Sequence, residues 1–375
     1  MGATTLEVGE PAAAGLRAGR LAQLDPLIEG AIDHQIFPGA VLLVARQGKI
    51  VKLDAYGHAA IRPESRAMTT DAIFDLASLT KVVVTVPLAL KLVEQGSWSL
   101  SDPLGRHVNE FNGTGHANVT LWHLLTHTSG LPPWADLFHG GGGVDELFKG
   151  KWPVLGLVAP PGERVVYSDL GFILLGEAIQ RATDTALDEL AQTALFAPLE
   201  MTETRYNPPS SLSDRIAATE DDPDRGGVLI GRVHDENADA MGGVSGHAGL
   251  FSTASDLARY AQMLLNKGAG PDGGILSPAS VGLMCSAQTE ELNERRGLGW
   301  LLQRRDTQPS GDLLSDAAFG HTGFTGTSLW IDPTYELCVV LLTNRVHPER
   351  NRGLAEINRI RALAHNVIAG AIDDA

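Results

Sequence analysis

The chain has 375 residues, 43% of them hydrophobic and 20% charged, and a formal net charge of −16. This size supports a large core and more than one subdomain, and the acidic balance argues against a nucleic-acid backbone or an anionic lipid surface as partner. No apolar run reaches the roughly 18 residues of a membrane span, and residues 1–30 lack the basic start and apolar stretch of a signal peptide, so a cytoplasmic location is expected unless an upstream leader has been trimmed.

Leu21, Leu24, Ile28 and Ile32 recur at helical spacing, with Asp25-Pro26 marking a kink or a restart. Residues 40–45 read as an apolar strand, and Gln47-Gly48-Lys49 as the turn of a hairpin into residues 50–56. The apolar segment 82–93 predicts a helix buried on all sides, which Pro87 should kink or interrupt.

Residues 101–249 change character: short helices over 121–127, 170–179 and 186–195 alternate with loops rich in glycine and proline. The glycine run 140–143 predicts a flexible loop. It lacks the Gly-Lys-Ser/Thr ending of a phosphate loop, so nucleotide binding is not expected there. Thr253 caps a helix carrying Leu257, Tyr260, Met263 and Leu264, and residues 277–284 form another. Strand-like runs follow at 298–302, 327–331 and 337–342, and a last helix has Ile357, Ile360, Ala364, Val367 and Ile368 on one face. Cys285 and Cys338 lie in apolar contexts without metal-type spacing and read as buried thiols.

This order predicts an α+β fold: an antiparallel sheet built from both ends of the chain, flanked by helices, with a mainly helical insertion. The expected boundaries are residues 15–372 for one catalytic unit, with 15–75 and 250–372 in the sheet part and 76–249 in the helical part. A site is expected in the cleft between them.

Three short motifs carry chemistry. Ser78-Leu79-Thr80-Lys81 opens the buried helix; seven of the 29 basic residues are lysines, and only Lys81 has a serine three places before it. That spacing puts the amine beside the hydroxyl, at a helix start whose N–H groups suit an oxyanion. Tyr167-Ser168-Asp169 stands between a Pro-Gly turn and an apolar helix, where the phenol can act as a base beside an ammonium. His321-Thr322-Gly323-Phe324 begins a strand-like run, and the N–H after its glycine is a candidate second oxyanion donor.

Together these motifs resemble the penicillin-recognising serine enzymes, in particular the class C β-lactamase branch that also holds DD-peptidases and family VIII carboxylesterases. The stretches Pro38-Gly39-Ala40-Val41, Leu124 to Leu131, Gly249 to Thr253 and Leu342-Thr343-Asn344-Arg345 are similar to that family too, so the likeness covers roughly residues 20–370. It implies a β-lactamase/transpeptidase-like fold, with Ser78 as nucleophile, Lys81 helping to deprotonate it, and Tyr167 as general base and then acid. The N–H groups of Ser78 and Phe324 would form the oxyanion hole, and Asp169, His321, Thr322 and Gly323 would meet substrate.

Two departures bear on substrate. Asp169 stands where an asparagine usually binds the substrate amide, and His321 where a lysine usually holds a carboxylate. Both lean toward a carboxylesterase acting on a small neutral ester, with an amide hydrolase of DD-peptidase, D-aminopeptidase or β-lactamase type as the alternative. A non-catalytic sensor on the same scaffold is the reading from another class. No cofactor is expected. His123 and His127 lack the glutamate of a zinc-peptidase helix, and His234-Asp235-Glu236 with His247 is expected to be a loop polar cluster rather than a metal site. Gly243-Val244-Ser245-Gly246-His247 resembles a nucleophile elbow but ends in histidine outside a strand–turn–helix context, and is discounted.

Overall fold

The computed structural model describes residues 6–112, 114–139, 155–305 and 309–373; the predicted 140–143 loop lies outside them. Its main sheet has seven strands in one path: β1 (Glu7–Val8), β2 (Gly39–Arg46), β3 (Lys49–Ala60), β4 (Leu301–Leu302), β5 (Phe319–Thr322), β6 (Ser328–Asp332) and β7 (Leu337–Thr343). Their order is β1-β3-β2-β7-β6-β5-β4, with Arg66–Ala67 added along β3. Every pairing is antiparallel except β1 with β3. The chain termini therefore meet in one sheet, through the β2–β7 pairing of Leu43 with Val340 and Leu42 with Leu341.

The β2–β3 hairpin turns on Gln47 and Gly48, both in the left-handed region (φ 52° and 74°), as a two-residue turn between twisted strands requires. All eight residues of β2 are buried, which explains why it reads as a continuous apolar run. Its alternate side chains enter different cores. Val41 and Leu43 face helices from the middle of the chain, while Leu42 and Val44 face the terminal helices.

Five helices frame the sheet and the cleft: α1 (Leu24–Asp33), α2 (Val86–Glu94), α3 (Asp169–Thr183), α4 (Ala254–Leu265) and α5 (Leu354–Ala369). Pro26 sits in the first turn of α1, a restart of the short helix Ala18–Leu21 rather than a kink within it. Leu24 and Ile28 of α1 meet Ile357, Ile360, Ala364 and Ile368 of α5 beneath the sheet. On the other face α4 lays Leu257, Tyr260 and Met263 against the sheet, capped by Thr253, whose side chain accepts the Asp256 N–H at 3.2 Å.

Pro87 does not break its helix. The turn just before it, Lys81–Thr85, is π-helical, and the wider turn accommodates the proline ring, which would clash with the carbonyl four residues back in a regular helix. Further along, the strand-like run at 298–302 shortens to Leu301–Leu302. Phe319–Thr322 forms a strand where the sequence pattern placed only the beginning of one at His321. Cys338 is buried as expected, whereas Cys285 is half-buried at the end of the helix Pro278–Cys285. No helix among the described residues is long and apolar enough to cross a membrane.

Candidate active site

Phe74–Asp75 is a short strand paired with Leu250–Ser252, and it leads directly into Ser78. Between them Ala77 adopts φ 45°, an uncommon conformation for a residue with a side chain. Asp75 holds it there: one carboxylate oxygen accepts the Ala77 N–H at 2.9 Å and the other the His234 N–H at 2.7 Å. Burial pushes the Asp75 carboxyl upward, against these two N–H bonds.

Lys81, one turn on, has no exposed surface. Its Nζ donates to Ser78 Oγ at 2.9 Å, to Asp169 Oδ1 at 2.7 Å and to the His247 carbonyl at 3.1 Å, so three acceptors take the three N–H bonds of an ammonium. Burial alone would favour the neutral amine, but the charges of Asp169 and Tyr167 outweigh it and hold Lys81 above its ordinary range. The His247 segment reaches Lys81 because Gly246 lies flat against α3, where an added Cβ would collide with the Phe172 carbonyl.

Tyr167 precedes α3. Ser168 caps that helix through its contact with the Gly171 N–H, and its own N–H donates to His127 Nδ1 at 3.0 Å. The Tyr167 ring centroid lies 4.4 Å from that of His127 and 5.0 Å from Lys81 Nζ. Burial, then the charges of Arg296 and Lys81, keep His127 well below its usual range, so it is neutral.

The last motif ends a strand rather than starting one. His321 and Thr322 close β5, and Gly323 and Phe324 lie in the turn to β6. Thr325 and Thr327 tie this turn to the Ser78 segment by donating to the carbonyls of Asp75 (2.7 Å) and Leu76 (3.0 Å). A side chain at Gly323 would strike Leu76 O and Thr327 Oγ1, so the approach requires glycine. Among the described residues neither the Ser78 nor the Phe324 backbone N–H donates to another protein group, which leaves both for an oxyanion. Arg345 anchors Phe324 by donating to its carbonyl at 2.6 Å. His321 bonds through Nδ1 to the Thr322 carbonyl at 2.8 Å. Burial, followed by the Arg296 and Lys81 charges, holds it well below its usual range, so it contributes no positive charge.

Ser78, Tyr167, Asp169, His321, Thr322, Gly323 and Phe324 line one cleft of about 480 Å³. Lys81, the eighth residue predicted from the motifs, is buried behind the wall and reaches the site through its bonds to Ser78 and Asp169. Arg296 and Arg361, which the motifs did not single out, add positive charge to the wall; each is buried. Among the described residues Arg361 bonds only to the Thr327 carbonyl (2.9 Å) and Asn358 Oδ1 (2.8 Å), with Nε unpartnered. Burial lowers it to about 9. Apolar Trp134, Phe324 and Leu354 form an exposed rim.

His127 and Arg345 were present in sequence stretches already noted, yet their contacts with Tyr167 and Phe324 have no local signature. The Ser245 segment is not an elbow: Ser245 Oγ lies 2.8 Å from His247 Nδ1, whose ring also meets Asp235 Oδ1 at 2.8 Å through Nε2. His123 caps the helix Leu121–Leu125 with Thr120. Among the described residues no three His, Cys, Asp or Glu side chains converge as metal ligands.

The profile of the Beta-lactamase family matches residues 24–364. An Escherichia coli O157:H7 protein carrying the provisional name D-alanyl-D-alanine carboxypeptidase is 32% identical over 394 residues, spanning 95% of this chain and 90% of its own. The N-acetylmuramyl-L-alanine amidase of Bacillus subtilis strain 168 is 32% identical over 399 residues, spanning 95% and 89%. The solved structure of EstCE1, described as a hydrolase with promiscuous acyltransferase activity, shares the fold with a TM-score of 0.75 at 22% identity, over 94% of this chain and 99% of that one. The chain belongs to the β-lactamase family and is a serine hydrolase.

Proposed function

We propose that this hydrolase works through an acyl-enzyme on Ser78 and acts on a small amide or ester that carries a carboxylate. Tyr167 takes the Ser78 proton as Oγ attacks the substrate carbonyl, and the Ser78 and Phe324 N–H groups receive the oxyanion. Tyr167 then returns the proton to the leaving group as the carbonyl re-forms. Water, deprotonated by Tyr167, releases the acyl group and regenerates Ser78. Lys81 remains an ammonium throughout, orienting Ser78 Oγ and balancing the phenolate. The expected help of Lys81 in deprotonating Ser78 is then given by its charge, with Tyr167 as the base, and its three acceptors, Asp169 included, support that role.

The observation that carries the substrate class is Arg361, a buried guanidinium in the cleft wall with no acidic partner among its bonds. An uncompensated buried cation is costly, and a substrate carboxylate would relieve that cost. The two reasons for expecting a neutral ester weaken accordingly: the Asp169 charge is engaged by Lys81, and arginines stand in for the absent lysine at His321. Relatives named as a D-alanyl-D-alanine carboxypeptidase and an N-acetylmuramyl-L-alanine amidase favour the same reading. The neutral-ester reading keeps one observation of its own, the apolar rim of Trp134, Phe324 and Leu354.

Fluorophosphonate labelling with peptide mapping, joined to turnover of a D-alanyl dipeptide, nitrocefin and p-nitrophenyl esters, tests both levels. Label on Ser78, and an Arg361→Ala variant with KM raised about tenfold or more only for carboxylate substrates, support the proposal. Turnover confined to neutral esters and indifferent to Arg361 would select the ester reading. A Ser78 adduct that never turns over would point to a sensor. A cytoplasmic location, which we retain as part of the proposal, suits soluble wall fragments over intact wall, and cell fractionation checks it.

A further inference from the structure

Tyr167 needs a fixed positive charge nearby if its phenol is to act as a base, and most of its neighbours cannot supply one. His127 and His321, with ring centroids 4.4 and 5.9 Å away, are buried and neutral. Lys81 supplies one such charge, 5.0 Å from the ring centroid, and the Asp169 carboxylate at 2.7 Å offsets part of its field. Asp235 lines the same cleft and adds negative charge, with its Oδ1 bonded to His247. Among the described residues a second cation lies against the ring: the Arg296 guanidinium carbon is 5.2 Å from the Tyr167 centroid.

The surroundings hold Arg296 in this position. It is 4% exposed, its Nε donates to Glu294 at 2.7 Å, and its N–H donates to Thr289 Oγ1 at 2.9 Å. The loop that carries it is fastened to the segment before Tyr167 by Asn293. Asn293 Oδ1 accepts the Val165 N–H at 2.8 Å, and Nδ2 donates to the Val165 carbonyl at 3.1 Å. Both groups of a residue two places before Tyr167 are thus read by a residue three places before Arg296. Arginine prefers to lie over an aromatic face, so the arrangement sets a cation against the ring.

We propose that Arg296 is a positioning residue for the reaction, its guanidinium favouring the deprotonated Tyr167 phenol in place of the fixed cation that His321 does not provide. This rests on the reading of Tyr167 as the base. Its geometric content is independent of substrate: a cation 5.2 Å from the ring centroid in a poorly solvated site favours the anion over the neutral phenol.

The test is the pH dependence of kcat/KM on a neutral p-nitrophenyl ester, which removes any direct contact between Arg296 and a substrate carboxylate. In Arg296→Gln the acid limb should move to higher pH by about one unit or more, with the rate recovering toward wild type in alkaline buffer. Glu294→Gln, which removes the offsetting charge and keeps an acceptor for Nε, should move the limb the other way. An Arg296→Gln limb at the wild-type pH overturns the inference, whether the rate is unchanged or uniformly low. If thermal melts show that Arg296→Gln does not fold, Glu294→Gln decides, and an unshifted limb there overturns it equally. Tyr167→Phe separates the two levels. Retained activity in that variant defeats the base reading itself, while an inactive Tyr167→Phe beside an unshifted Arg296→Gln limb defeats only the role of Arg296.

Discussion

On the sheet, β2 and β7 bury Val41, Leu43 and Val340 on one face and Leu42, Val44 and Leu341 on the other. At the cleft the fully buried side chains include Lys81, His127, His321 and Arg361, none more than 2% exposed. Apolar burial is nondirectional and scales with area, so the sheet needs only side chains of suitable size and period. Buried polar groups are tolerable only when partnered, so each cleft residue depends on particular atoms of distant segments. Asp75 shows the dependence: it shapes the Ser78 approach through Ala77 and at the same time draws in His234, 159 residues away. Substitutions in the sheet should therefore change stability, and those in the cleft should change chemistry.

The sharpest way to break this contrast is Ser78→Ala. It should abolish turnover and fluorophosphonate labelling while moving Tm by no more than about 2 °C, because the site is half-open and the change removes one hydroxyl. Substantial turnover in that variant would detach the chemistry from the serine. Next come the two groups beside it. Tyr167→Phe and Lys81→Ala should each lower kcat by on the order of 10²-fold or more. Only Lys81→Ala should also lower Tm markedly, since it strands the Asp169 carboxylate. Equal melting temperatures for the two variants would mean that the ion pair is not structural.

Trp330→Ala probes the other side. The indole is 1% exposed in the core beneath the sheet, and its removal should cost about 3–5 kcal/mol in urea denaturation. The labelling rate at Ser78 should stay within about twofold at a temperature where the variant is folded. A proportional loss of labelling would show that the core and the cleft are not separable.

The smallest expected effect concerns pH. His365 on α5 is held down to about 4, chiefly by burial, with the Pro309 carbonyl opposing and the Arg361 charge adding to it. Its native value lies below the unfolded value of about 6.5, so the unfolded chain binds more protons between them. The stabilisation is present above about 6.5 and is lost as pH falls toward 4. His365→Gln should flatten the decline of Tm over that range. A decline identical to that of the wild type would place the acid sensitivity in other groups.

Several elements were legible because they depend on near neighbours. Leu24 and Ile28 share a helical face through spacing alone, Gln47-Gly48 makes its hairpin because two residues must turn twisted strands, and Thr253 caps because its hydroxyl reaches an amide three residues on. The proximity of Ser78 and Lys81 is of the same kind. Other features were not legible for the opposite reason. The end of β5 looked like a beginning because a four-residue strand with a glycine in it has little local pattern, and its pairing with β6 defines it. Pro87 is tolerated through a π-helical turn over Lys81–Thr85, which the apolar run before it does not announce.

The motifs by themselves determined which residue types would be available for acyl transfer and, through apolar period, that both chain ends would build one sheet. They also specified the local reach of Lys81 to Ser78, since one helical turn sets that distance. Only the tertiary structure decided the charge states. Lys81 is an ammonium because Asp169 and the His247 carbonyl come to it from 88 and 166 residues away. His321 is neutral because burial and three nearby cations oppose its proton. Electrostatic energy depends on distance and on the surrounding dielectric, and neither is a property of neighbouring positions in a chain.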